Sequence, residues 1–187
     1  MNLNETILLA SASPRRKEIC EKMGLSIEVM PAKTELPWQD TLSAEEAVLN
    51  IAKAKAKEIF QQNPSRVVIG SDTVVLLDDC VMGKPKDETD AAAMLRHLSG
   101  KTHRVLTAVY VCTPEKQDGF VSENFVTFAN LSEQDIAEYI QTGEPMDKAG
   151  AYGIQGYGCR YIRHLDGDFF AVMGLPAEKL WSFLKSF

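Results

Sequence analysis

The sequence has no apolar run long enough to span a bilayer, no Cys-x-x-Cys pair and no surplus of positive charge. Each absence removes a class of protein. Without about 20 consecutive apolar residues there is no candidate transmembrane helix. An apolar patch lies near the amino terminus, but no basic stretch precedes it, so it does not read as a signal peptide. The four cysteines (Cys20, Cys80, Cys112 and Cys159) are widely scattered, the pattern of free thiols in a reducing compartment. A cytoplasmic protein is expected. A net charge of −6 and a pI near 5.1 speak against binding to a nucleic-acid polymer, which needs a broad basic face. A small phosphorylated ligand needs only a local cluster of cations. Several catalytic signatures are missing too. Gly83-Lys84 lacks the upstream glycine and the following Ser or Thr of a Walker A loop. Gly150, Gly153, Gly156 and Gly158 do not have the dinucleotide spacing. His97, His103 and His164 lack metal-ligand spacing, and no cysteine has a histidine pattern for nucleophilic catalysis. Repeats and low-complexity tracts are absent.

What is present begins with Leu8-Leu9-Ala10-Ser11-Ala12-Ser13-Pro14-Arg15-Arg16-Lys17. The run Ile7–Ala10 reads as a strand ending in small hydroxyl residues. Pro14 then opens a helix, since proline suits the first helical position, and Ser13 is its expected N-cap. A helix start with unpaired N–H groups is a ready anion site. Two arginines in the first turn are disfavoured by the helix dipole, and a bound anion would explain them. A phosphate-bearing ligand at this turn is the working expectation, with Lys17 turned to solvent.

A chain of 187 residues suits one domain over 1–187, or two closely joined halves, with a sizeable core. Pro14 to Met23 is predicted helical with Ile19, Cys20 and Met23 inward, stopped at Gly24. Ser26–Met30 is a second strand, and Pro31–Asp40 a loop. Ser43-Ala44-Glu45-Glu46 is a capping box opening a helix to about Gln62. Its apolar stripe is Val48, Ile51, Ala52 and Ile59, with Lys55 in the stripe and Lys53 and Lys57 on the wet side. Arg66–Leu77 is nearly continuous apolar strand, interrupted by Gly70-Ser71-Asp72-Thr73, and Asp78-Asp79 reads as a hairpin turn before Val81-Met82. A helix over Ala91–Leu98, strands over Thr102–Cys112 and Phe120–Phe128, and a helix from Leu131-Ser132 to Gly143 follow. Ile136, Tyr139 and Ile140 form that last helix's inner face. The glycine-rich stretch 144–158 reads as an ordered, functional loop. Strands Cys159–His164 and Phe169–Met173, and a helix from Pro176 with Leu180, Trp181 and Leu184 inward, close the chain. Alternating strands and helices indicate an α/β domain with a mixed sheet.

Asp72 is the sharpest chemical signal. A carboxylate inside a run of Val, Ile and Leu is costly unless paired, hydrogen-bonded or metal-bound. Two readings are open: a strand end where Asp72 caps a turn, or a functional carboxylate. Lys55 either snorkels past the core edge or reaches a polar cleft. Glu35 is a loop acid, the kind that is mostly solvated, but together with Asp72 it offers a hard divalent cation two carboxylates. Lys84, held extended by Pro85, is either a surface lysine or a phosphate ligand.

Five stretches together resemble the Maf family of nucleoside triphosphate pyrophosphatases over essentially the whole chain. They are Leu9-Ala10-Ser11-Ala12-Ser13-Pro14-Arg15-Arg16, Gly70-Ser71-Asp72-Thr73-Val74-Val75, Gly83-Lys84-Pro85, Leu98-Ser99-Gly100-Lys101-Thr102-His103 and 147–156, Asp-Lys-Ala-Gly-Ala-Tyr-Gly-Ile-Gln-Gly. The resemblance implies an elongated mixed β-sheet flanked by helices, with two lobes around a cleft, akin to inosine triphosphate pyrophosphatases. It implies cleavage between the α and β phosphates, with Asp72 as proton acceptor. The phosphates are then assigned to Ser11, Ser13, Arg16, Lys55 and Lys84, and a divalent cation, Mg²⁺ or Mn²⁺, to Glu35 and Asp72. It also implies a homodimer.

Three positions carry the family's division by substrate. Arg15, Thr73 and Gln155 resemble the dTTP/UTP-cleaving branch, whereas the 7-methyl-GTP branch typically has tryptophan, glutamine and glutamate there. A glutamine both donates to and accepts from a pyrimidine edge. Two alternatives stand beside this reading: a 7-methyl-GTP or broad house-cleaning pyrophosphatase, and a nucleotide-binding regulator of septum formation.

Overall fold

The buried sequence Ile7-Leu8-Leu9 forms β1 (Ile7–Leu9), apolar at every position because both its faces are covered. This computed structural model describes residues 5–78 and 80–187, so Asp79 of the expected hairpin turn lies outside the described residues. The other strands are β2 (Ile27–Val29), β3 (Val68–Leu77), β4 (Cys80–Met82), β5 (Thr102–Cys112), β6 (Gln117–Phe128) and β7 (Ile162–Asp166). They make one seven-stranded mixed sheet in the order β2-β1-β3-β5-β6-β7, with β4 also paired to β3. β1 runs parallel to β2 and β3, while the β3–β4 and β6–β7 pairs are antiparallel. The helices are α1 (Pro14–Lys22), α2 (Ala44–Gln62), α3 (Glu88–Leu98), α4 (Glu133–Gln141), α5 (Phe169–Met173) and α6 (Ala177–Leu184). The expected α/β class with a mixed, helix-flanked sheet is the observed one.

The chain divides into two compact units. The first holds the chain up to Asp72, Thr107–Ser122 and Gly174–Phe187. Its buried residues include Ile7, Leu8 and Leu9 of β1, Ile19 and Cys20 of α1, and Val48, Ala52 and Ala56 of α2. The Ser43 capping box is fully formed, its hydroxyl accepting from Glu46 N and the Glu46 carboxylate accepting from Ser43 N. β3 lies tight on α2 at Gly70, where a Cβ would meet Ala52 O and come within 2.7 Å of Ala56 N. Lys53 and Lys57 are half-buried rather than on a wet face, and Lys53 Nζ stands 5.7 Å over the Tyr110 ring.

The second unit holds Thr73–Leu106 and Glu123–Met173. Its core joins Val75 and Leu77 of β3, Leu95 and Leu98 of α3, Val126 and Phe128 of β6, and Ile136 and Tyr139 of α4. Arg96 of α3 makes a two-pronged pair with Glu133 of α4, at 2.7 Å on each prong. His103 is buried against Phe128 and Tyr152, with Nε2 2.7 Å from the Tyr152 hydroxyl. Burial lowers its pKa to about 4.

Four further expectations change. β3 runs unbroken through Gly70-Ser71-Asp72-Thr73, because the ladder continues through residues that usually mark a turn. Phe169–Met173 is a helical turn rather than a strand. Asp168 initiates it by accepting from Phe170 N at 2.8 Å. Tyr157–Tyr161 is a 3-10 helix, so the strand expected from Cys159 begins only at Ile162. Trp181 is exposed, and α6 buries Leu180 and Leu184 instead.

Candidate functional site

The unbroken course of β3 settles the alternative for Asp72: it is an interior strand residue, not a turn cap. Side-chain exposures of 18% for Asp72 and 24% for Lys55 put the two charges where water only partly screens them. Lys55 Nζ donates to Asp72 Oδ1 at 2.5 Å. The lysine in the apolar stripe of α2 therefore reaches a polar partner on the neighbouring strand instead of snorkelling outward.

The turn before α1 is wired differently from the expectation. Ser13 has the extended backbone of an N-cap but makes no side-chain cap hydrogen bond. The side-chain hydrogen bonds of this turn belong to Ser11, whose Oγ accepts from Ser13 N at 3.3 Å and from an Arg16 terminal nitrogen at 3.0 Å. Arg16 Nε also donates to Gly174 O at 2.9 Å, and Ser71 Oγ donates to the same carbonyl at 3.2 Å. Arg16 is half-buried by surface area, with its guanidinium packed among protein atoms. That desolvation lowers its pKa, while the Asp72 charge acts in the opposite direction and Arg15 adds to the lowering. No acidic residue lies in the first turn of α1. Ser11, Ser13, Arg16, Lys55 and Asp72 are thus brought into one neighbourhood within the first unit, and Arg15 sits half-buried beside Arg16. Lys17 is exposed as expected, 3.5 Å from Glu21.

Glu35 is exposed on the loop between β2 and α2. That loop is anchored to α2, where the Glu58 carboxylate accepts from Lys33 N at 2.9 Å and Thr34 N at 2.7 Å. Hydrogen bonds from Thr34 and Lys33 hold the Glu58 pKa down.

The other expected residues belong to the second unit. Thr73 is half-buried in β3, Lys84 is exposed between β4 and α3, and Gln155 is exposed in the glycine-rich stretch. Within that unit the Lys84 and glycine-rich segments are joined, as Gly150 N donates to Gly83 O at 3.0 Å. Gly150 has φ +69 and lies against Val75, so a side chain there would be both strained and crowded.

A model of the family described as Maf-like protein matches residues 6–187. The chain belongs to the Maf family. It is 46% identical over 185 residues to a dTTP/UTP pyrophosphatase of Bacillus velezensis, covering 99% of this chain and 98% of that protein. A dTTP/UTP pyrophosphatase of Aquifex aeolicus is 45% identical over 184 residues, covering 96% of this chain and 94% of that one. The solved Ham1 protein of Staphylococcus aureus superposes with a TM-score of 0.52 at 14% identity, over 97% of this chain and 99% of that one. That last likeness is one of fold.

Two residues of this hydrogen-bonded network carry no role in the sequence reading. Gly174 enters through its carbonyl, which no side-chain pattern can signal, and Ser71 enters through a hydroxyl read only as a strand break. Among the described residues no three His, Cys, Asp or Glu side chains gather as a metal-holding group. Asp72, already paired to Lys55, and exposed Glu35 each offer carboxylate oxygens, the donor type a hard divalent cation takes. Two carboxylate residues suit Mg²⁺, which keeps several waters and takes its remaining oxygens from substrate phosphates.

Proposed function

We propose that this protein is a nucleoside triphosphate pyrophosphatase, hydrolysing dTTP and UTP to the monophosphate and pyrophosphate. The observation that carries the reading is the Asp72–Lys55 pair beside Arg16 and the serine turn. It offers one proton acceptor and a set of cations, with no covalent nucleophile. Asp72 takes a proton from water as the water oxygen attacks the α-phosphorus. The bond from that phosphorus to the bridging oxygen breaks, and pyrophosphate leaves with the bridging oxygen. Lys55 orients the Asp72 carboxylate and, with Arg16 and Lys84, neutralises the phosphates, to which the hydroxyls of Ser11 and Ser13 donate hydrogen bonds. Positioning and charge neutralisation make up most of catalysis in this chemistry. A divalent cation, when bound by Asp72 and Glu35, supplies further neutralisation of phosphate charge. Arg15, Thr73 and Gln155 select the base, as the family resemblance implies. The names carried by the relatives of 45–46% identity support the same substrates. A homodimer working in the cytoplasm is in keeping with that resemblance and with four free cysteines.

The test is to incubate the protein with dTTP, UTP, CTP, 7-methyl-GTP and ITP in Mg²⁺ or Mn²⁺, measuring pyrophosphate and orthophosphate separately. Pyrophosphate from dTTP and UTP, with the other three slower, is expected. Orthophosphate as the first product excludes α–β cleavage, and faster turnover of 7-methyl-GTP reassigns the branch.

A further inference from the structure

The stretch bearing Gln155 is closed by two side chains that the mechanism above does not use. Tyr139 of α4 is buried, and its hydroxyl donates to Glu144 Oε1 at 2.8 Å while accepting from Gly153 N at 3.1 Å. The Glu144 carboxylate then accepts from Gly158 N on Oε1 at 3.0 Å and from Tyr157 N on Oε2 at 2.7 Å. Gly153 precedes Gln155 by two residues, and Tyr157 and Gly158 follow it by two and three. One tyrosine–glutamate pair therefore holds the backbone on both sides of Gln155.

The glycines of the stretch fit around this pair. A Cβ at Gly156, where φ is +85, would lie 2.5 Å from Glu144 Oε2. One at Gly158 would lie 2.6 Å from the Tyr139 hydroxyl and also strike Gly153 O. One at Gly153 would lie 2.8 Å from Lys148 Cε. Lys148 in turn donates to the Glu144 backbone carbonyl at 2.7 Å and to Asp147 Oδ1 at 2.6 Å. The glycines thus let the backbone approach close enough for its N–H groups to reach the two side chains. Burial raises the Tyr139 pKa, which keeps the hydroxyl a donor toward Glu144.

We propose that Tyr139 and Glu144 are positioning residues for base selection, clasping the Gly153–Gly158 backbone so that exposed Gln155 is presented in one fixed place. The proposal rests on the reading that Gln155 reads the pyrimidine. A carboxylate accepting three hydrogen bonds is a stronger anchor than a neutral acceptor. Loss of the anchor displaces a recognition group without touching the proton acceptor. Because a displaced positioning group can cost ~10²-fold, the effect is large enough to measure.

The test uses the full chain and the variants Glu144→Gln, Tyr139→Phe and Gln155→Ala. Hydrogen exchange without nucleotide is expected to quicken at the amides of Tyr157 and Gly158 in E144Q, and at Gly153 in Y139F. In pyrophosphate-release assays KM for UTP is expected to rise roughly tenfold with kcat nearly unchanged, the signature of lost binding rather than lost chemistry. The preference for UTP over CTP should fall toward that of Q155A. E144Q combined with Q155A should cost little more than Q155A alone, because both remove the same interaction. Unchanged exchange, an unchanged UTP-to-CTP preference, or full additivity with Q155A in an active protein overturns the clasp alone. Should E144Q not fold, Y139F carries the same comparison from the Gly153 side. Wild-type protein that releases no pyrophosphate from UTP or dTTP overturns the activity reading and the selection role with it.

Discussion

Asp72 is the residue on which the proposed chemistry turns. Ser71 and Thr73 flank it in a strand otherwise of Val, Ile, Leu and Gly, and its partner Lys55 comes from another element, so the pair exists only in the folded chain. Asp72→Asn keeps size and shape and leaves Lys55 an oxygen to donate to, yet removes the proton acceptor. Since general-base help is worth ~10²–10⁴-fold, turnover of UTP should fall at least about a hundredfold while circular dichroism and the melting midpoint stay close to wild type. Near-normal turnover in that variant would remove Asp72 from its role. Arg15→Trp should reorder the preference among UTP, dTTP and 7-methyl-GTP, read from kcat/KM for each. An unchanged order returns Arg15 to the phosphate ligands. His103 bears on stability rather than turnover. Its folded pKa of about 4 lies below the ordinary 6.5. Neutral His103 is thus favoured by the native state, and its contribution is complete above pH 6.5 and lost as pH falls toward 4. The amount is on the order of 3 kcal/mol. Urea unfolding of His103→Gln at pH 7.5 and 4.5 should show a smaller difference between the two pH values than wild type does.

At the scale of elements, β3 against α2 is the contact that sets the Asp72–Lys55 distance. Gly70→Ala would drive a methyl into the α2 backbone at Ala52 and Ala56. Overpacking of this kind costs about 1–3 kcal/mol, so a lower melting temperature and weakened UTP turnover are expected together. A normal melting temperature would mean that the strand and helix separate without cost. The elements that could be read in advance were those specified by local chemistry. The Ser43 capping box, the Gly24 stop with φ +77, and the inner face Ile136, Tyr139 and Ile140 each follow from residues a few positions apart. Asp72 was legible for the same reason, as a charge out of place in an apolar run. β3 is not legible where Gly-Ser-Asp-Thr suggests a break, because its continuity comes from pairing with distant strands. α5 is not legible because Phe169–Met173 is apolar at strand length, and the one opposing signal is the Asp168 cap. The missing Ser13 cap bond and the Ser11–Arg16 hydrogen bond are not legible from the turn alone.

Across the whole molecule the chain passes four times between its two units, at residues 72/73, 106/107, 122/123 and 173/174. Neither unit is a continuous segment. A cut after residue 106 separates α6 and half of β5 from the rest of the first unit, and takes the second half of β6, α4 and the glycine-rich stretch from the second. Residues 1–106 and 107–187, produced separately, are expected to lack cooperative thermal transitions. A sharp melt for either fragment would show an autonomous core and argue for a domain boundary inside the chain.

The carbonyl of Gly174 receives both Arg16 Nε and Ser71 Oγ, and its backbone has φ +127. No codon change deletes that oxygen. Replacing Gly174 with any other residue adds a Cβ to a conformation L side chains rarely adopt, so a mutational scan would register only a damaged backbone. Substitution at Ser71 or Arg16 removes a donor, but the shared acceptor is hidden from genetics, and an amide-to-ester exchange between Gly174 and Leu175, which weakens that carbonyl, would probe it directly.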